Sequence, residues 1–461
     1  MPDVTADVVI LGGGSGGYAC ALRAAQLGQS VVLIEKDKLG GTCLHSGCIP
    51  TKALLHAAEI ADAARDGAEF GVKTEVIGID MNVVNRYKDT VVNKLFNGLQ
   101  GLVKSRSIQV VTGTGRFIGS KSVVVDGQIY SGRNVVLATG SYAKTLPGVE
   151  TNDRIITSDQ ALHLDEVPNR VVVLGGGVIG VEFASVWRSF GAHVTIVEAL
   201  PRLVPNEDEF ASKHLERALR RRGIDIKTDT QMVSAKRSPG SVDVVLGSGE
   251  KISADLLLVA IGRRPNTSGA GFEEAGVAMV NGFVVADESL QTNLPGVYAV
   301  GDIVLGLQLA HRGFQQGIFV AEHLAGVNPR AIDEDGIPRV TYCEPEVASV
   351  GLTEEAARAK YGNVDTVTYD LAANGKSQIL QTQGAIKLVR ARAVQENRGP
   401  IVGVHMVGSR VGELIGEAQL IYNWEAEADD VTPFIHAHPT QNEALGEAVY
   451  ALAGQPLHAH G

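Results

Sequence analysis

The chain has 461 residues, 44% of them hydrophobic and 54 of them glycine, with a formal net charge of −11. That length exceeds what a single hydrophobic core serves, and the composition is that of a globular α/β chain with many tight turns, not of a disordered or fibrous one. The acidic balance argues against a nucleic-acid surface, and four cysteines are too few for a secreted disulfide framework, so a reducing cytoplasm is expected.

An apolar strand is predicted at residues 8–11, leaving no room before it for a secretory signal or an Arg-rich transit sequence. The longest uncharged apolar run, residues 171–181, falls far short of the ~20 residues a bilayer needs, so no membrane partner is expected. After the first strand come Gly12-Gly13-Gly14-Ser15-Gly16-Gly17, an Ala-rich helix through Ala25, and a strand over 30–34 that ends at Glu35. This is the pattern of a dinucleotide-binding fingerprint. Gly12 makes the tight turn, Gly14 lets a pyrophosphate approach, Gly17 lets helix pack on strand, and Glu35 accepts from ribose hydroxyls. The pyrophosphate would lie on unpaired N–H groups at a helix N-terminus.

Residues 40–52 read Gly-Gly-Thr-Cys-Leu-His-Ser-Gly-Cys-Ile-Pro-Thr-Lys. Cys43 and Cys48, so spaced, either close a small ring or stay as two buried thiols, since free cysteine packs as a small hydrophobe. Such a ring is poorly suited to stapling a fold, because loop-closure stabilisation grows with loop length. Beside a redox cofactor it would exchange two electrons. Residues 134–137 then form a strand closing with Ala138-Thr139-Gly140.

The pattern returns with a strand at 171–174, Gly175-Gly176-Gly177-Val178-Ile179-Gly180, a helix, and a strand at 193–197 ending at Glu198. In both copies the first glycine and the acid are 23 positions apart. Two glycine-rich turns without ligands are the competing reading, and the equal spacing of strand, glycines, helix, strand and acid favours nucleotides. Residues 256–259 close this unit with Ala260-Ile261-Gly262-Arg263-Arg264-Pro265-Asn266. Residues 292–302 give a turn, a strand and Asp302 at its carboxyl end, where ligands bind in such sheets. Asp302 also suits a helix N-cap.

Apolar stretches at 347–351, 401–407 and 414–424 predict a C-terminal sheet and helix, followed by His436-Ala437-His438-Pro439-Thr440-Gln441-Asn442-Glu443. A histidine held by a carboxylate has the makings of a general base, although a lone histidine is as often a surface or core residue. No further ligand cluster lies near His436 and His438, so no metal site is predicted.

Together, the 40–52 run, both fingerprints, residues 292–302 and the segment from His436 to Glu443 resemble the flavin-dependent pyridine-nucleotide disulfide oxidoreductases, over nearly the whole chain and in that family's order. The resemblance implies an α/β fold with two Rossmann-like dinucleotide-binding domains and a C-terminal α+β dimerisation domain. Residues 1–149 would be the first segment of the FAD-binding domain, 150–272 the NAD-binding domain, 273–340 a central segment completing the FAD domain, and 341–461 the interface domain. It implies FAD and NAD as cofactors and a homodimer. By the same likeness Cys43 and Cys48 form the redox disulfide, with Cys43 the outer thiol and Cys48 facing the flavin. Lys52 lies near the flavin ring with Glu182 as its partner, and His438, oriented by Glu443, is the base for the other chain's disulfide. FAD contacts fall to Gly12, Gly14, Gly17, Glu35, Lys52, Gly115, Gly140, Asp302 and Ala310. NAD contacts fall to Gly175, Gly177, Gly180, Glu182, Glu198, Val233 and Gly262. One departure is visible: His45-Ser46 stands where the family usually has Asn-Val.

Glu198 selects the free 2′-hydroxyl of NAD over the phosphate of NADP. Within the family this points to members that oxidise protein-bound dihydrolipoyl groups with NAD⁺. Their partner is a lipoyl-bearing acyltransferase of a 2-oxoacid dehydrogenase complex or a lipoyl carrier protein. The alternatives are an NAD(P)H-dependent reductase of another low-molecular-weight disulfide, such as mycothiol disulfide, and a flavoprotein that anchors a multienzyme complex.

Overall fold

The computed structural model describes residues 4–392 and 398–458. Val4–Leu11 ends in a run of buried apolar residues, the signature of a strand covered on both faces. It pairs in parallel with Val31–Glu35 on one side and Gln128–Leu137 on the other, Val8 facing Val31 and Asn134. Gln109–Thr112 extends the sheet beyond Val31–Glu35, and Val297–Ala299 joins Gln128–Leu137 in parallel. The first strand starts upstream of the predicted 8–11 because Val4, Thr5 and Ala6 find partners in Tyr130, Ser131 and Gly132. Ser30, predicted to open the second strand, instead lies just before it. Its N–H and hydroxyl donate to the Asp7 carboxylate at 2.8 and 2.7 Å.

The second module repeats this plan. Its parallel sheet runs Asp225–Lys227, His193–Val197, Arg170–Leu174, Leu256–Val259, Ile155–Thr157. Each module also carries an antiparallel ribbon that periodicity did not reveal, one led by Arg116–Gly119 and Ser122–Val125, the other made of Met232–Ser238, Ser241–Leu246 and Lys251–Ala254. The modules meet where Ser141–Ala143 pairs antiparallel with Arg263–Pro265.

The C-terminal unit is an antiparallel sheet in the order Arg339–Thr341, Glu346–Gly351, Ile401–Gly408, Ala385–Ala391, Val364–Asp370. Val411–Asn423 and Glu443–Leu452 pack on it and share its apolar cluster. The first of these helices starts ahead of the predicted 414–424 because the Glu346 carboxylate accepts from Gly412 N at 2.8 Å and satisfies its first turn.

The helix Cys48–Asp66 ties the units together. Leu54, Ala58 and Ala61 on it share one buried cluster with Val181 and Phe183 of the second module and with Val347 and Val407 of the C-terminal sheet. Among the described residues no helix is long and apolar enough to cross a membrane.

Candidate functional site

The two glycine loops match almost atom for atom. Gly12 and Gly175 have φ of +109° and +110°, and a Cβ on Gly17 or Gly180 would lie 1.8 or 1.9 Å from the carbonyl oxygen of Gly12 or Gly175. No side chain fits there, so each helix, Ser15–Gln26 and Val178–Ser189, starts hard against its strand. At Gly14 the nearest atom to such a Cβ is 3.9 Å away, and at Gly177 nothing lies within 4 Å. Neither helix has a side-chain cap. Open space beside uncapped N–H groups fits a pyrophosphate in both loops.

Each acid fastens its own loop. Glu35 accepts from Gly13 N at 2.7 Å and Asp37 N at 2.9 Å, while Glu198 accepts from Gly176 N at 2.6 Å and Leu200 N at 2.7 Å. A carboxylate has about four acceptor sites, so both retain capacity for ribose hydroxyls.

From Glu35 a cavity runs past Gly12, Gly14, Gly115 and Gly140. It shares Gly14, Thr42, Ser46 and Gly140 with a neighbouring cavity that reaches Cys43, Cys48, Lys52, Asp302 and Ala310. The far wall of that second cavity comes from Val178, Ile179 and Glu182 of the second module and from Val340 and Tyr342 of the C-terminal unit. The continuous trough, with a phosphate-sized gap at Gly14, fits an extended dinucleotide such as FAD. The second fingerprint's helix opens onto its Cys48 end.

Glu182 therefore belongs to the Cys48 cavity and not to the second glycine loop, and its carboxylate takes the Lys52 ammonium at 2.8 and 2.9 Å. Asp302 caps no helix. It lies inside the short helix Gly301–Ile303 and accepts from Ser141 Oγ at 2.5 Å, while Arg263 donates to the same hydroxyl at 2.7 Å. Gly262, at φ +104°, precedes that arginine and faces open space. Val233 is exposed on the antiparallel ribbon, just beyond Thr230, whose N–H donates to the Glu198 carbonyl.

Cys43 lies in the short helix Gly41–His45 and Cys48 opens Cys48–Asp66, its sulfur at a helix N-terminus. Both are free thiols. The Cys43 thiol donates to Cys48 and pulls the Cys48 pKa down to about 7; Lys52 pulls the same way, against the effect of burial. The same hydrogen bond pushes Cys43 far up. Burial works against the charge on Lys52, but Glu182 outweighs it and the ammonium is held. His45 lines the cavity that starts at Glu35, with its Nε2 at 2.9 Å from the Leu39 carbonyl and its ring edge-on to Phe96, while Ser46 lines both cavities.

His438 Nδ1 and Glu443 Oε2 are 3.0 Å apart. Glu443 is fixed further by Thr440 Oγ1, which accepts from its N–H, and by Asn374 Nδ2 at 3.3 Å. The His438 side chain is 78% exposed, and neither it nor Glu443 lines the Cys48 cavity of its own chain. His436 is committed elsewhere: it meets Glu417 at 2.8 Å, and that hydrogen bond raises its pKa. Beside it Phe434 and Ile435 are 63% and 98% exposed, an apolar loop with nothing to cover it in one chain. Among the described residues no group of His, Cys, Asp and Glu could hold a metal.

Sequence reasoning missed Ser141 and Tyr342. Ser141 meets Asp302 from a distant part of the same module and Tyr342 meets Glu182 across a module boundary, and no local motif announces either.

The family described as pyridine nucleotide-disulphide oxidoreductase matches residues 6–317, and its dimerisation domain matches residues 337–449. These matches define a flavoprotein disulfide oxidoreductase with FAD and NAD sites and a dimerising C-terminal domain. The chain is 40% identical to dihydrolipoyl dehydrogenase of Bacillus subtilis, covering 98% of this chain and 99% of the relative. It is 38% identical to that of Thermus scotoductus, covering 98% and 99%. The solved structure of LpdA from Mycobacterium tuberculosis superposes with a TM-score of 0.90 at 25% identity, covering 97% and 99%. The HOCl-induced flavoprotein disulfide reductase RclA of Escherichia coli gives 0.85 at 29%, covering 96% and 99%. The chain belongs to the dihydrolipoyl dehydrogenase family, whose members are NAD-dependent oxidoreductases.

Proposed function

We propose that the chain oxidises protein-bound dihydrolipoyl groups to lipoyl with NAD⁺, using Cys43 and Cys48 as the exchanging pair. The observation that carries this reading is the Cys48 thiol, lowered to about 7, beside Lys52 in a cavity walled by both nucleotide modules. With the pair as a disulfide, a dihydrolipoyl thiolate attacks Cys43 Sγ and the electron pair of the broken bond leaves on Cys48. A low-pKa thiol is the faster leaving group, which favours Cys48 as the inner sulfur. The second dihydrolipoyl thiolate then displaces Cys43, closing the lipoyl disulfide and leaving the dithiol on the protein. His438 of the other copy, steadied by Glu443, takes the proton from the attacking thiol. Bound FAD supplies the two-electron exchange between the dithiol and NAD⁺.

Gly12, Gly14, Gly17, Glu35, Lys52, Gly115, Gly140, Asp302 and Ala310 would hold FAD. Gly175, Gly177, Gly180, Glu182, Glu198, Val233 and Gly262 would hold NAD, and Glu182 also steadies Lys52. The reading of 273–340 as a segment that completes the FAD domain is supported by sheet membership, since Val297–Ala299 pairs within the first sheet, while the strand Arg339–Thr341 puts the start of the interface domain a little before the expected 341. The partner would be a lipoyl-bearing acyltransferase or carrier protein, in a reducing cytoplasm that suits unpaired Cys20 and Cys343.

The test is a comparison of dihydrolipoamide with NAD⁺ against mycothiol disulfide with NADH or NADPH. Fast turnover of the first pair and little of the second is expected, and the reverse order would overturn the reading.

A further inference from the structure

We propose that Tyr342 is a positioning residue through which the C-terminal domain sets the reactivity of the Cys48 thiol, a proposal that rests on reading Cys48 as the thiolate of the redox pair. Lys52 and Glu182 come from two different units, the helices Cys48–Asp66 and Val178–Ser189. A third unit holds them together. The Tyr342 N–H, next to the strand Arg339–Thr341, donates to Glu182 Oε1 at 2.9 Å, and the Tyr342 ring lies 4.6 Å from Lys52 Nζ. The ammonium is thus fixed by a carboxylate edge and an aromatic face. Such a face attracts a cation without neutralising it.

The charge so held bears on Cys48, one helical turn before Lys52, and stabilises its thiolate. Glu182 is buried and fixed by two units, whereas the Lys52 ammonium sits on a flexible four-carbon stem held by that carboxylate and the ring. Without the ring, the stem loses one of its two anchors and its charge is free to move away from the sulfur.

The charged groups facing Tyr342 are Lys52, Glu182, Glu346 and Glu413. Burial pushes its phenol up and the three acids add to this, while Lys52 pulls the other way. The net result is a neutral ring at physiological pH. The ring, not the hydroxyl, is what Lys52 meets.

The test uses the flavin-loaded Cys43→Ser protein, in which iodoacetamide alkylation of Cys48, read by peptide mass, reports the thiolate as pH is raised. Cys20 and Cys343 are buried, and burial pushes both thiols up, so they do not compete. Tyr342→Phe keeps the ring and the backbone donor, and its alkylation midpoint should match the parent. Tyr342→Leu and Tyr342→Gln keep the donor but lose the ring. Their midpoints should rise by roughly half a unit to one unit, slowing alkylation at acid pH about three- to tenfold. A ringless variant that holds flavin and titrates with the parent would overturn the proposal, as would a Phe variant that shifts as far as Leu. If neither ringless variant folds, Tyr342 is a structural residue and the proposal falls. Failure of the underlying reading looks different: the Cys43→Ser parent itself would then titrate like an ordinary cysteine.

Discussion

Glu198 has two tasks that a single substitution separates. Its carboxylate, 9% exposed, fastens the second glycine loop through Gly176 and Leu200, and in the proposed reading it also accepts from the NAD ribose. Glu198→Ala should weaken NAD⁺ use by about 1–3 kcal/mol, the scale of a lost hydrogen bond to a charged group. NADP⁺ should suffer much less, because the carboxylate that repels its 2′-phosphate has gone. Steady-state kinetics with both nucleotides checks this, and equal losses would show that Glu198 serves the loop alone. At this scale Glu35, Glu198, the cysteines and the pair His438–Glu443 were legible because each stands at a fixed spacing in a local motif. Tyr342 was not. Its bond to Glu182 starts from a backbone N–H that every residue but proline carries, so no residue type signals it.

Elements were legible where one backbone constraint repeats. Both glycine loops need the same positive φ at their first glycine and the same bare α-carbon where helix crosses strand. Gly17→Ala and Gly180→Ala should therefore act on separate cofactors. Each added methyl overlaps a carbonyl oxygen and would force the helix off its strand, at a cost of about 1–3 kcal/mol or more. The first should purify with little flavin, and the second should keep flavin while losing NAD⁺ affinity, as absorbance spectra and nucleotide titration would reveal. Element ends were less legible. Val4–Leu11 and Val411–Asn423 both start earlier than expected, because a neighbouring strand supplies partners to one and the Glu346 carboxylate satisfies the first turn of the other. The antiparallel ribbons were less legible because Met232–Ser238 shows no regular alternation, and Ser241–Leu246, although it alternates in burial, is short and carries apolar Val245 on its half-exposed face.

The whole molecule depends on charged contacts between its units as well as on the shared apolar cluster. Glu207 accepts from Arg339 and Ser349, and Asp208 accepts from Lys387 at 2.8 Å and from Glu354 N at 2.8 Å, so the second module is bolted to the C-terminal sheet. Burial pushes the Asp208 carboxyl up, but His405, Lys387 and the N–H donors outweigh it and the net shift is downward. A carboxyl lowered by folding adds stability above its unfolded pKa, near 4, and loses it as pH falls through the folded value. Asp208→Asn should cost about 1–3 kcal/mol at neutral pH, since it removes one of the two carboxylates, Asp208 and Glu354, that hold the buried Lys387 ammonium. The deficit in urea unfolding should shrink below about pH 4, and a constant deficit would contradict the assignment.

The C-terminal domain also leaves His438 exposed and outside its own Cys48 cavity, beside the uncovered loop of Phe434 and Ile435. A two-fold dimer lays such a patch against its own copy and can bring each histidine to the other chain's thiols. The site is then incomplete in a monomer. The most direct measurement mixes two inactive variants, Cys43→Ser and His438→Ala, under conditions that allow subunits to exchange. A heterodimer should recover one complete site, with Cys43 from one chain and His438 from the other, and dihydrolipoamide oxidation should rise well above either parent. Verified exchange with activity still at the parents' level would contradict the account.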